Sequence, residues 1–287
     1  VSGGPSSPLR ARWTAATNRV RLWTFGWSSH ARTWRGLRGR YRGERCFVVG
    51  NGPSLRPEDL DAIGRRPSFG FNRIHHVFPR TSWRPTFYCS EDPRMLAGCL
   101  EEVRRLEAPY KFIPYPLVLW YGLEVPGATC FLLESSAVSP DASNFRPDPV
   151  RGFRWGGTVA FTALQMAAHM GFADIVLLGI DHRFARSTND RGDVLVDEGA
   201  RDYFDPAYDH DRHLLDTPNL ERSTNAFLAA RRWADLHGVR IRNATRGGRL
   251  EVFDRIDLDA VLAEGPPDGR VAAREDGAPP GGRRRDA

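Results

Sequence analysis

Cysteine is scarce in this chain and carries no disulfide or metal signature. The four, Cys46, Cys89, Cys99 and Cys130, form no C-x-x-C pair and have no histidine at zinc spacing, so they read as reduced, buried thiols of a cytosolic protein. Long apolar runs are missing, and with them any membrane span. The Ser-, Pro- and Arg-rich start lacks the apolar stretch of a signal peptide. No internal repeat is present. The common nucleotide signatures are missing too: no G-x-G-x-x-G with a ribose-binding acid behind it, and no Gly-Lys-Ser/Thr of a Walker loop. No two acids stand at metal-ligand spacing, so no metal site is expected and no cofactor is required.

What is present is a globular chain of 287 residues, 41% hydrophobic, with a formal net charge of +6 that is unevenly placed. Residues 1–45 hold ten arginines and one acid, Glu44, which leaves the remainder at about −3. An acidic body is not that of a nucleic-acid binder. The basic segment also carries Trp13, Leu22, Trp23, Phe25, Trp27, Trp34 and Leu37. Arginine interspersed with tryptophan suits an anionic membrane surface, contacted through residues 11–42. The alternative is a helix packed on the domain with a solvated basic face. The expected location is cytoplasmic, peripheral at the inner face of the membrane.

Three regions follow from composition: a basic, partly helical extension over 1–44, a folded body over 45–262, and a Gly-, Pro- and Arg-rich tail over 263–287 expected to be disordered. In the body, strand and helix patterns alternate. Strands are expected at Cys46–Val49, Ser68–Asn72, Pro85–Ser90, Lys111–Ile113, Ile175–Leu178 and Val239–Arg242. Helices are expected from Pro57, over Pro93–Leu106 and Thr158–Met170, and over Asn219–His237 ending at Gly238. This alternation predicts an α/β fold, a doubly wound parallel sheet of Rossmann-like kind in one domain. Ligands of such sheets lie beyond the carboxyl ends of the strands. That rule gathers Asn51, Ser54, Asn72, Glu91, Asp92, Asp181, His182 and Arg183 on one rim.

The most informative segment is CFVVGNGPSL, Cys46–Leu55. A buried strand breaks at once into Gly50, Asn51, Gly52, Pro53 and Ser54. Glycines here let backbone N–H groups approach a phosphate, and the following helix start adds positive potential. The plain alternative is a tight connection. Arg154-Trp155-Gly156-Gly157-Thr158 opens the strongest helix, with Arg154 as a phosphate fork and Gly156, Gly157 and Thr158 at its N-terminus. Asp181 ends the IVLLGID strand. The polar stretch from Arg201 to Arg222 reads as a lid, a plain hydrated loop or a metal cluster. As a lid it offers His210, between Asp209 and Asp211, and His213 as a general base.

GNGPSL, the strand ending FGFN, the R-x-G-G-T-V helix entry, ALQMAAHMGFADIVLLGID and INATRGGRLEVFDRI together resemble the bacterial MptE-like family over roughly Gly43 to Leu262. That family is named for an archaeal 6-hydroxymethylpterin diphosphokinase and includes transferases associated with flagellin and surface glycans. GNGPSL and the GID strand are also similar to small bacterial sialyltransferases that use CMP-sugars. By position, the resemblance implies that Asn51 and Asn72 meet nucleotide and sugar, with Arg154, Gly157 and Thr158 near phosphate and acceptor. It also implies a tyrosine just past the GID strand, where this chain has His182-Arg183. A lid histidine is implied where Tyr203 stands in Tyr203-Phe204-Asp205-Pro206-Ala207-Tyr208.

The function this implies is glycosyl transfer from a nucleotide sugar, a CMP-sugar, to a glycan or lipid-linked acceptor of the cell surface. Arg183 and Arg154 would stabilise the departing phosphate, and the single phosphate of a CMP-sugar requires no metal. One alternative is an MptE-like pyrophosphokinase using ATP and magnesium at Asp92 and Asp181. Another is a nucleotide-binding protein without catalysis.

Overall fold

A computed structural model describes residues 8–135, 137–206, 208, 216–265 and 267, with side chains from residue 16. Two helices come first, α1 (Pro8–Trp23) and α2 (Ser29–Leu37). Strand β1 (Arg45–Val49) leads through α3 (Pro57–Ile63) to β2 (Ser68–Phe71) and then β3 (Phe87–Cys89). Helices α4 (Pro93–Gly98) and α5 (Leu100–Arg105) precede β4 (Tyr110–Pro114), and α6 (Tyr115–Tyr121) precedes β5 (Thr129–Phe131). Two short strands, β6 (Leu133–Glu134) and β7 (Phe153–Arg154), pair before α7 (Val159–Met170) and β8 (Asp174–Leu178). A hairpin of β9 (Arg186–Thr188) and β10 (Val194–Val196) follows, then α8 (Leu220–His237), β11 (Arg240–Asn243), β12 (Asp254–Arg255) and α9 (Leu258–Ala263).

Eight strands form one parallel sheet in the order β12-β11-β8-β1-β2-β3-β4-β5. The central strands RCFVV and DIVLL are nearly all apolar because both faces are covered. Along β1, Cys46 and Val48 face a cluster with Trp34, Phe161 and Phe227, while Phe47 and Val49 face Leu60, Ile63 and Val261. Helices therefore cover both faces, and the α/β doubly wound architecture read from the sequence is the observed one. From β1 the chain works outward to β5, then returns through α7 to place β8 on the other side of β1. The connections reverse between β1 and β8, and a crevice opens outside their carboxyl ends.

Several elements depart from expectation. The helix expected over Pro93–Leu106 is two helices, broken at Cys99, whose φ of −138° is not helical. Gly98 ends the first of them, and Arg73 packs 3.0 Å from where a Cβ would stand. The extension is not separate from the body. Helix α2 turns Ala31, Trp34 and Leu37 inward, with Trp34 0% exposed and its indole Nε1 donating to Cys130 O at 2.8 Å. Arg32, Arg35 and Arg38 occupy its solvated face, which is the packed-helix alternative. By contrast, Trp23 and Trp27 stay 77% and 73% exposed and meet edge to face at 5.9 Å. No described helix is long and apolar enough to cross a membrane.

The order continues past residue 262. Glu264 binds Arg45 at 2.6 Å and Arg242 at 2.7 Å, and those two arginines also clamp the fully buried Asp174 at the amino end of β8. The rest of the expected tail lies outside the described residues, apart from 265 and 267.

Candidate functional site

The crevice at the strand reversal holds a pocket of about 420 Å³, within the range of small-molecule sites. The ends of β1, β2, β3 and β8 line it, together with the N-terminal turns of α7 and α8 and the loop carrying Asp202, Tyr203 and Tyr208.

The glycines of the β1 turn do something other than the sequence led us to expect. Gly50 N donates to Leu178 O at 2.8 Å and Gly52 N to Gly179 O at 2.9 Å. These amides therefore face β8 and its loop rather than a ligand. A Cβ on Gly50 would lie 2.4 Å from Gly179 O, and one on Gly52 1.9 Å from Asp181 Oδ2. The glycines let two strand-end loops touch, as in a tight connection. Ser54 Oγ donates to Asp181 Oδ2 at 2.7 Å. Asp181 thereby ties the two loops while lining the pocket; burial raises its pKa, and the Ser54 contacts oppose that shift. Pro53 and Ser54 stand behind the lining.

Two asparagines offer ligand-reading groups. Asn51 Nδ2 donates to Phe71 O at 3.1 Å, which leaves its buried Oδ1 without a donor among the described residues. Asn72 leaves β2 in a left-handed conformation, φ 49°, and its Oδ1 accepts from Ser90 Oγ at 3.0 Å. The amide N–H groups of Asn72 have no acceptor among the described residues. His182, at φ 51°, is the other non-glycine residue with left-handed backbone among the described residues. Both line the pocket, and such strain gathers at functional sites. Thr224 Oγ1 donates to Leu220 O at 2.8 Å, so it accepts from His182 Nε2, also at 2.8 Å. Nδ1 of His182 is then the unprotonated nitrogen of a ring whose pKa burial lowers to about 4.

Positive potential comes from two helix starts. Thr158 is the N-cap residue of α7, yet its side chain makes no capping bond; Phe161 N donates to Thr158 O at 3.0 Å, which leaves the Val159 and Ala160 N–H groups for a ligand. Gly157, at φ 76°, and Thr158 line the pocket, while Gly156 is packed behind them against Phe161 and Ala226. Asn219 caps α8 by accepting from Arg222 N at 2.8 Å.

The two arginines expected to hold phosphate are already engaged. Arg154 lies outside the lining and bonds Glu134, shared with Arg146. Arg183 reaches the pocket wall, but Asp197 grips its Nε at 2.8 Å and its Nη2 at 2.9 Å. Arg222, which the sequence reading passed over, lines the pocket over the Trp155 ring at 5.0 Å and has no acidic partner among the described residues. Asp92 lines the pocket too, with Oδ1 accepting from Arg94 N and Met95 N as the cap of α4. His210 and His213 lie outside the described residues. Tyr203 stacks on Tyr208 at 3.8 Å, and the next residue, Phe204, donates its N–H to Asn51 O at 3.0 Å, which pins this loop over the β1 turn. Among the described residues no group of three or more His, Cys, Asp or Glu side chains is arranged to hold a metal ion.

Glu91 follows the end of β3 on the rim. It lines the pocket, and Thr162 Oγ1 donates to its Oε2 at 2.7 Å. Burial pushes its pKa up to about 7, opposed by the Thr162 bond and helped by Asp92.

Fold and site together define an α/β protein of the doubly wound class with a pocket of mixed polar and apolar lining at its strand reversal. The chain belongs to the MptE-like family, described as 6-hydroxymethylpterin diphosphokinase MptE-like, whose model matches residues 29–187. The MAf glycosyltransferase of Magnetospirillum magneticum AMB-1 shares the fold at a TM-score of 0.50 and 16% identity, over 79% of this chain. The chain spans only 35% of that protein's length. The sialyltransferase CstII of Campylobacter jejuni, solved with the substrate analogue CMP-3FNeuAc, aligns at a TM-score of 0.43 and 11% identity, over 74% of this chain and 86% of its own. No curated protein matches the sequence.

Proposed function

We propose that the chain is a transferase that binds a nucleotide sugar in the switch-point pocket and passes the sugar to a glycan or lipid-linked acceptor of the cell surface. The observation that carries this reading is the pairing of Asn51, with its donor-less buried Oδ1, and the two helix starts flanked by Arg222. A base or ribose donor satisfies Asn51, and a phosphate satisfies the helix N–H groups and the guanidinium. The family relationship and the fold shared with a glycosyltransferase support the same class. A CMP-sugar fits best, because its single phosphate needs no metal. Reaction would be one inverting displacement, with the leaving phosphate held by α7, α8 and Arg222 in place of Arg154 and Arg183.

The family's name favours a second reading, pyrophosphoryl transfer from ATP with magnesium. It would require Asp92 and Asp181 as ligands, whose oxygens already serve the α4 cap and Ser54. Exposed Trp23 and Trp27 beside exposed Arg19 and Arg21 favour contact with an anionic membrane, which suits a lipid-linked acceptor. Thermal shifts with CMP, UDP, GDP and ATP, each with and without magnesium, test the reading. Stabilisation by CMP without metal supports it. Stabilisation by ATP with magnesium alone would replace it with the second.

A further inference from the structure

We infer that the Glu91 carboxylate is the proton acceptor for the attacking hydroxyl. This rests on the transferase reading above. The hydroxyl oxygen forms a bond to the anomeric carbon as the bond from that carbon to the phosphate oxygen breaks. The bonding pair leaves with the nucleotide phosphate, and the hydroxyl proton passes to Glu91, then to solvent.

Position is the first argument. Thr162 lies three residues past Val159, a rise of about 4.5 Å, so Glu91, hydrogen-bonded to it, sits within about one helical turn of the N-terminal N–H groups. With a phosphate on those groups, that interval is about one sugar ring. Thr162 occupies Oε2, which leaves Oε1 for the incoming hydroxyl. The second argument is cost. Glu91 has no cationic partner among the described residues, and a half-buried carboxylate held by one hydroxyl is costly. Glutamine would fill the place and keep the Thr162 bond at lower cost, so packing alone does not account for an acid here.

The third argument is chemical matching. The groups bearing on Glu91 are Asp92 on its own turn, the buried Cys89 thiol of β3 and Thr162 from α7. A base works best when its pKa is near the working pH, and Glu91 at about 7 meets that condition. Among the other proton acceptors of the lining, His182, at about 4, is too weak to take a proton from an alcohol efficiently, while Asp92 caps α4, Asp202 accepts from Ala185 N and Asp216 pairs with Arg94. Asp181 keeps its carboxylate on Ser54.

The test compares wild type with Glu91→Gln, melting both to establish folding. Nucleotide release from CMP-, UDP- and GDP-sugars, with water as acceptor, is followed against pH, and affinity for the free nucleotide is measured by calorimetry. We expect wild-type turnover to rise through an acid limb near pH 7. In Glu91→Gln turnover should fall about 10²–10⁴-fold, the limb should vanish and nucleotide affinity should change less than about threefold. A Glu91→Gln protein that keeps its turnover overturns the assignment while leaving the transferase reading intact. Loss of nucleotide affinity along with turnover also overturns it, since Glu91 would then hold the nucleotide. If wild type binds nucleotide yet releases none from any donor, both the assignment and the transferase reading fail, and the chain is a binder.

Discussion

Glu91 makes a prediction that needs no substrate. In the unfolded chain its carboxyl ionises near 4.5, and in the fold burial moves this to about 7. Between those values the folded state keeps a proton that the unfolded state gives up. Ionising Glu91 therefore costs stability, starting as pH rises past 4.5 and complete above 7. At about 1.36 kcal/mol per pH unit the limit is ~3.4 kcal/mol, and the opening of the side chain to the pocket reduces this to about 2–3 kcal/mol. Glutamine carries no proton to lose. Glu91→Gln should match wild type near pH 4.5 and exceed it by about 2–3 kcal/mol at pH 9, a gain of about 4–12 °C in melting temperature for a chain of this size. Denaturant melts of both proteins at half-unit steps from pH 5 to pH 9 give the difference curve. Two parallel stability curves would refute the raised pKa, and a wild type that gains on the variant at high pH would reverse its sign.

Three further outcomes are expected. Gly52→Ala places a methyl on the Asp181 carboxylate and should cost about 1–3 kcal/mol in a denaturant melt; an unchanged melt would show that the two loops part freely. A Trp23→Ala/Trp27→Ala double variant should bind phosphatidylserine vesicles several-fold more weakly in sedimentation, with wild-type binding falling as salt rises; equal sedimentation of both proteins would remove membrane contact from these residues. Donor turnover should persist in EDTA, and loss reversed by magnesium would move the account to the pyrophosphokinase reading.

The sheet was legible because its central strands are apolar runs, which both-sided burial demands. The rim was legible for the same reason: once β1, β2, β3 and β8 are placed, Asn51, Asn72, Glu91 and Asp181 fall at their carboxyl ends. Side-chain partners were not. Arg154 and Arg183 look like phosphate ligands until Glu134 and Asp197 arrive from separate strands and loops. Arg222 enters the pocket only because α8 starts beside the α7 entry, a crossover that no local pattern encodes. The GNGPS turn misled in an instructive way. Its glycines answer to a neighbouring loop 127 residues onward, joined by Ser54 and Asp181, not to a ligand. Trp34 likewise reads as part of a basic surface segment, yet the threefold spacing of Ala31, Trp34 and Leu37 marks the buried stripe of a helix.

The central claim is that the switch-point pocket binds a nucleotide through Asn51. Calorimetric titration of CMP into wild type and Asn51→Ala, both without added metal, tests it directly. The account predicts saturable binding to wild type and a loss of about 1–3 kcal/mol in the variant, or about 5- to 150-fold in affinity, with the fold retained. Equal affinity of the two folded proteins, or no heat with wild type at millimolar CMP, would contradict it.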